Sequence, residues 1–184
     1  MSLQEKFELC KIAAENGYIE VLKNTLPSLG CSHCLQLEGI YSTNIIPEIA
    51  VENGHLDCLK YALEHGCNYS STISNIAARE GRLYSLMYLH EKGYKLDEKT
   101  ILNAAFGGHI DCLSYLHQIG CPWNTITPKM AAWKGHLECL QYCFENGCPW
   151  DIETTTFAAA NNHLDCLNYA IKNGCPYEPS IKKS

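Results

Sequence analysis

The chain has 184 residues, 46% of them apolar, with 14 basic against 20 acidic side chains and a net charge of −6. That length suits one domain, and no apolar run approaches the roughly 18 residues a membrane helix needs. The acidic balance disfavours a broad phosphate-binding surface, because nucleic-acid binders carry a basic stripe; the only basic cluster is the terminal "IKKS".

The opening "MSLQEKFELC" lacks the basic-then-apolar order of a secretory signal, which points to a reducing, cytoplasmic compartment and to twelve cysteines held mostly as thiols. One unit then recurs along the chain. It reads "GYIEVLKNTLPSLGCS" from Gly17, "GHLDCLKYALEHGCNY" from Gly54, "GRLYSLMYLHEKGYKL" from Gly81, "GHIDCLSYLHQIGCPW" from Gly108, "GHLECLQYCFENGCPW" from Gly135 and "NHLDCLNYAIKNGCPY" from Asn162. The last five starts are 27 residues apart (81−54, 108−81, 135−108, 162−135), and the first step is 37 (54−17), ten longer. A fixed period of this size marks a repeat array. The copies run approximately over 5–34, 44–70, 71–97, 98–124, 125–151 and 152–178, with an insertion near 31–43.

Each copy reads as two short helices and a turn. Thr100, Thr127 and Thr154 stand before first segments as N-caps, and Pro128 falls in a first turn, where its missing N–H costs nothing. Ala13-Ala14, Ala77-Ala78, Ala104-Ala105, Ala131-Ala132 and Ala158-Ala159, with Ala50-Val51 as variant, let first helices pack closely. In the second segment Leu137, Leu140 and Phe144 form an amphipathic stripe. Gly66, Gly93, Gly120, Gly147 and Gly174 then supply a left-handed stop. Helices of about 8–10 residues do not persist alone in water, so each pair must bury its apolar face on the next copy. The result is an all-α solenoid.

The run "AAxxGHL-E/D-x-L" followed by "NG-C-P-W-D" resembles the ankyrin repeat, over residues 5–178. The resemblance implies an ankyrin-type helix-turn-helix stack that captures a partner protein on its concave face, with neither enzymatic activity nor a cofactor. Ankyrin units usually take about 33 residues, so the shorter period predicts short loops in place of β-hairpin fingers. Such short units resemble ankyrin arrays common in large DNA viruses of amoebae and in some protists.

His55, His109, His136 and His163 share one unit position, which Tyr18 and Arg82 fill in two copies. A catalytic base has no reason to recur in every unit, and the resemblance implies a structural hydrogen bond at the inter-helix turn. Cys58, Cys112, Cys139 and Cys166 fall inside second helices, while Cys31, Cys67, Cys121, Cys148 and Cys175 follow the glycine; both sets read as small hydrophobes. Stacked helices sit roughly 8–10 Å apart, beyond the ~7 Å Cα limit of a disulfide. "CSHC", residues 31–34, has the spacing of a zinc half-site, but a full site needs four ligands and no second pair follows nearby. A zinc- or redox-responsive protein using Cys31 and Cys34 is the alternative function; a substrate adaptor for a ubiquitin ligase is a third, suggested by related viral ankyrin proteins. Trp123, Trp150 and Tyr177, with Tyr69 and Leu96, read as packed over helix ends.

Residues that vary while a scaffold repeats are the candidates for recognition. The pairs after Ala-Ala are Glu15-Asn16, Glu52-Asn53, Arg79-Glu80, Phe106-Gly107, Trp133-Lys134 and Ala160-Asn161. Phe106 and Trp133 thus fall side by side, flanked by Arg79 and Lys134. Either both rings fold back onto the next copy or they form a protein-binding hot spot. Asp97, Glu98, Asn124, Asp151 and Glu153 add an acidic rim in the loops, which suggests a partner with an apolar anchor and basic flanks. Neither nucleic acid nor membrane is expected as a partner. The last copy keeps Leu164, Cys166, Leu167, Tyr169, Ala170 and Ile171 in the internal pattern. Either the tail from Pro176 to Ile181 caps that edge, leaving a monomer, or copies associate end to end.

Overall fold

A computed structural model describes residues 1–29 and 45–179. The insertion near 31–43, with Cys31 and Cys34, lies outside the described residues. Six helix pairs follow one another: α1 (Leu3–Asn16) with α2 (Ile19–Thr25) and a 3-10 turn (Leu26–Leu29); α3 (Ile45–Asn53) with α4 (Leu56–Glu64); α5 (Ile73–Arg79) with α6 (Leu83–Glu91); α7 (Glu98–Gly107) with α8 (Ile110–Gln118); α9 (Ile126–Lys134) with α10 (Leu137–Glu145); and α11 (Ile152–Ala160) with α12 (Leu164–Lys172). Among the described residues there is no strand. From α4 onward, short loops join the pairs where hairpin fingers would project.

The alanine pairs explain the stacking. Ala77, Ala78, Ala104, Ala105, Ala131 and Ala132 are fully buried, and with only a methyl group each they let α5, α7, α9 and α11 approach one another more extensively than the second helices do. The first helices therefore form the more closely packed layer of the stack. Leu59, Leu86, Leu113 and Leu140, one from each of α4, α6, α8 and α10, are fully buried between layers. Each such side chain contributes about 1.5–3 kcal/mol on burial, which holds helices of nine residues that could not stand alone.

The threonines are not the caps. Asp97 caps α7, its carboxylate accepting from the Lys99 N–H at 3.0 Å, and Asp151 caps α11 through the Glu153 N–H at 2.9 Å. Thr100 and Thr154 lie one turn inside those helices and Thr127 inside α9, all buried. An acid complements the helix N-terminus with a full charge, while threonine brings a methyl group that the core can use. The Thr100 hydroxyl donates to Asn75 Oδ1 of the preceding copy at 2.9 Å.

Polar bonds between copies run mostly to the main chain. His55 Nε2 lies 3.0 Å from the Glu15 carbonyl, Arg82 Nη2 donates to the Glu52 carbonyl at 2.7 Å, and His136 Nε2 meets the Phe106 carbonyl at 3.1 Å. The histidine bond expected at the turn thus crosses from one copy to its predecessor. Room for the ring comes from the predecessor's left-handed glycine: a Cβ on Gly108 would lie 2.5 Å from His136 Nδ1. Burial holds the His136 pKa below its usual value, so the ring is neutral near pH 7; since a carbonyl can only accept, Nε2 carries the proton.

The cysteines after the glycine do more than fill space. The thiols of Cys121, Cys148 and Cys175 donate to the carbonyls of Asp97, Asn124 and Asp151 in the preceding copies, at 3.0, 3.4 and 3.2 Å. Burial pushes Cys112, Cys121, Cys166 and Cys175 up to about 11 and Cys139 up to about 12, so they are protonated and unreactive at neutral pH.

Candidate protein-binding face

The first helices end in a row. Arg79 closes α5, Phe106 lies at the end of α7, Trp133 at the end of α9 and Ala160 at the end of α11. The Phe106 and Trp133 rings meet edge to face, with centroids 5.8 Å apart and planes at 74°. Phe157, one turn before Ala160, continues the row, its centroid 5.8 Å from that of Trp133. All three rings are half-buried: they lean on one another and still present a face to solvent. Lys134, which is exposed, holds its ammonium 4.5 Å from the Phe106 centroid and 5.1 Å from that of Trp133. Arg79 pairs through Nε with Glu80 at 2.8 Å and keeps 43% of its side chain exposed.

Two backbone features fix this row. His136 holds the Phe106 carbonyl from the following copy. At residue 107 the chain passes so close to the Arg79 carbonyl that any Cβ would collide with it, and glycine is required. That approach sets Phe106 beside Arg79.

The residues expected to form the rim sit elsewhere. Asp97, Glu98, Asn124, Asp151 and Glu153 lie at the N-terminal ends of α7, α9 and α11. Phe106 and Trp133 are at the other ends, roughly 13 Å from Asp97 and Asn124 at about 1.5 Å per residue, whereas Phe157 lies one turn, roughly 6 Å, from Glu153. The rim residues are also engaged inside the chain. Asp97 caps α7 and lies 2.9 Å from Lys95 Nζ, whose proximity holds its carboxyl below the usual range. Glu98 accepts from Asn124 Nδ2 at 3.4 Å, Asp151 caps α11, and Glu153 pairs with Lys129. The structure therefore gathers Phe106, Trp133 and Lys134, with Arg79 beside them, and leaves the rim apart. Phe157 was not anticipated because it precedes Ala158-Ala159, at a position that holds Met130, Asn103 and Ile76 in other copies. Its being the aromatic residue on the first helix of a copy whose row position is alanine was the available signal.

No protein-family model and no curated protein matches the sequence. Among solved structures, the chain is similar to the human ASB11 ankyrin repeat domain, with a TM-score of 0.69 and 18% identity over 91% of this chain and 84% of that one. The fold is that of an ankyrin repeat domain.

In this ankyrin solenoid the aromatic ladder packs over the second helices. Trp123 stacks on His117 at 4.0 Å and Trp150 on Phe144 at 4.5 Å, while Tyr69 is 46% exposed and tilts against Tyr94. The Tyr115 and Tyr142 hydroxyls reach back to Nδ1 of His90 and His117, at 2.7 and 3.0 Å. Recurrent histidines, tyrosines and cysteines are thus occupied in joining ankyrin units. Among the described residues no group of three or more His, Cys, Asp or Glu is placed to hold a metal ion, and no helix is long and apolar enough to cross a membrane.

Proposed function

We propose that the chain is a non-enzymatic protein-interaction module that captures a partner protein on the concave face formed by its first helices. One observation carries this reading: the partly exposed row Phe106, Trp133 and Phe157 beside Lys134 departs from the repeat pattern, whereas the recurrent polar groups serve cohesion. Aromatic residues in such patches dominate interface energetics. The abundance of buried, protonated thiols suits a reducing compartment, here taken to be the cytoplasm, and the short units fit the viral and protist arrays the sequence resembles. Trp133→Ala and Phe106→Ala test the proposal: each should leave the helical circular-dichroism spectrum intact and weaken partner capture by at least ~2 kcal/mol, as hot-spot truncations do. Loss of melting temperature with unchanged affinity in the folded fraction would move both rings to a purely structural role.

A further inference from the structure

The charge around the aromatic row indicates what kind of segment fits it. At the row itself the exposed charges are Lys134, whose ammonium lies over two rings while its side chain stays open to solvent, and Arg79, which shares its charge with Glu80. Of the acids that would call for a basic partner, Asp97 and Glu98 lie at the opposite helix end and Glu153 lies one turn before Phe157; all three have intramolecular partners, in Lys95, Asn124 and Lys129. An apolar side chain laid on Phe106, Trp133 and Phe157 would displace water from around Lys134 and strengthen its attraction to any carboxylate brought beside it. A basic side chain at the same place would meet that ammonium in a drying interface, where like charges side by side disfavour a wrong partner.

Resting on the proposed function above, we infer that the inner face takes a peptide segment with an aromatic or large aliphatic anchor and an aspartate or glutamate within a few residues of it. The anchor covers the three rings. The carboxylate pairs with Lys134 and lies within reach of Arg79, and this pairing sets the orientation of the segment along the row.

Selection from a random linear peptide library on the whole chain, followed by fluorescence-polarisation titration of one selected peptide, tests this. Enriched peptides should combine an apolar anchor with a nearby acid. Lys134→Gln should weaken the chosen peptide about tenfold, since a desolvated charge pair is lost, Lys134→Glu more, and Lys134→Arg little. A second selection on the Lys134→Glu chain should return basic flanks in place of acidic ones. Peptides that need Phe106 and Trp133 yet carry neutral or basic flanks, or that ignore Lys134→Gln, would overturn the assigned chemistry and leave the binding face standing. Peptides unaffected by the double change Phe106→Ala and Trp133→Ala, or no enrichment at all, would overturn both.

Discussion

Two glycines of the same copy-to-copy pattern should respond differently to alanine. Gly108 and Gly147 both hold left-handed backbone, with φ of +77° and +76°, so a Cβ at either position costs roughly 1–2 kcal/mol of strain. Around Gly147 a Cβ meets nothing within 4 Å, whereas at Gly108 it would lie 2.5 to 2.7 Å from three atoms of the His136 ring. The ring must leave, losing its hydrogen bond to the Phe106 carbonyl, about 0.5–1.5 kcal/mol, together with its packing. Gly147→Ala should therefore cost about 1–2 kcal/mol and Gly108→Ala about 1.5–3.5 kcal/mol on these two contributions, read from urea unfolding followed by circular dichroism. In a His136→Ala background the excess at Gly108 should vanish, since the ring it displaces is gone. Asn162 already points this way. It holds the same turn position with φ of +60°, and among the described residues no later copy sets a His ring or an Arg side chain against it, as His136 is set against Gly108 and Arg82 against Gly54. Equal costs at Gly108 and Gly147, or an excess that survives removal of His136, would refute the clamp.

Further expectations concern titration, thiols and the last copy. Because burial lowers the folded-state pKa of His136, the unfolded chain binds more protons as pH falls through its ordinary value of about 6.5. Its contribution is complete above that value and declines below it, so the wild type should lose more stability than His136→Gln between about pH 7 and pH 5; parallel curves would contradict this. Mass-spectrometric alkylation at neutral pH should spare Cys112, Cys139 and Cys166 until urea unfolds the chain, and native labelling of Cys139 would show that burial does not control it. In the last copy Leu164 is 52% exposed and the Thr155 hydroxyl donates to the Pro176 carbonyl at 2.7 Å. If the tail caps this edge, light scattering should show a monomer at all concentrations and aggregation once residues 176–184 are deleted, whereas a dimer indifferent to the deletion would assign the edge to self-association.

What the sequence revealed and what it hid divide along a physical line. Gly147 and the alanine pairs were readable because a left-handed stop and a close helix approach each demand one residue type. The role of Thr100 was misjudged because threonine suits both a cap and a first turn, and only Asp97, three residues earlier, decides between them. The partner of His136 was out of reach because it is a carbonyl, and main-chain acceptors leave no mark in a sequence. Phe106 and Trp133 came together because their spacing equals the period, while Phe157 joins them from a different position of its unit. The separation of Asp97 from Phe106 and of Asn124 from Trp133 follows from helix length and could have been worked out beforehand.

The bonds that His136 makes to residue 106, Cys148 to residue 124 and Cys175 to residue 151 all end on main-chain oxygen. An acceptor that every amino acid carries places no demand on the side chain at its own position. These joints are consequently indifferent to which side chain stands at residues 106, 124 and 151, and exchange of residue 106 or 133 costs the ring contacts between copies but not the hydrogen bonds. A unit with the glycine-histidine opening and glycine-cysteine close could be spliced between any two others, so the array is open to lengthening and to exchange of its variable side chains, one copy at a time.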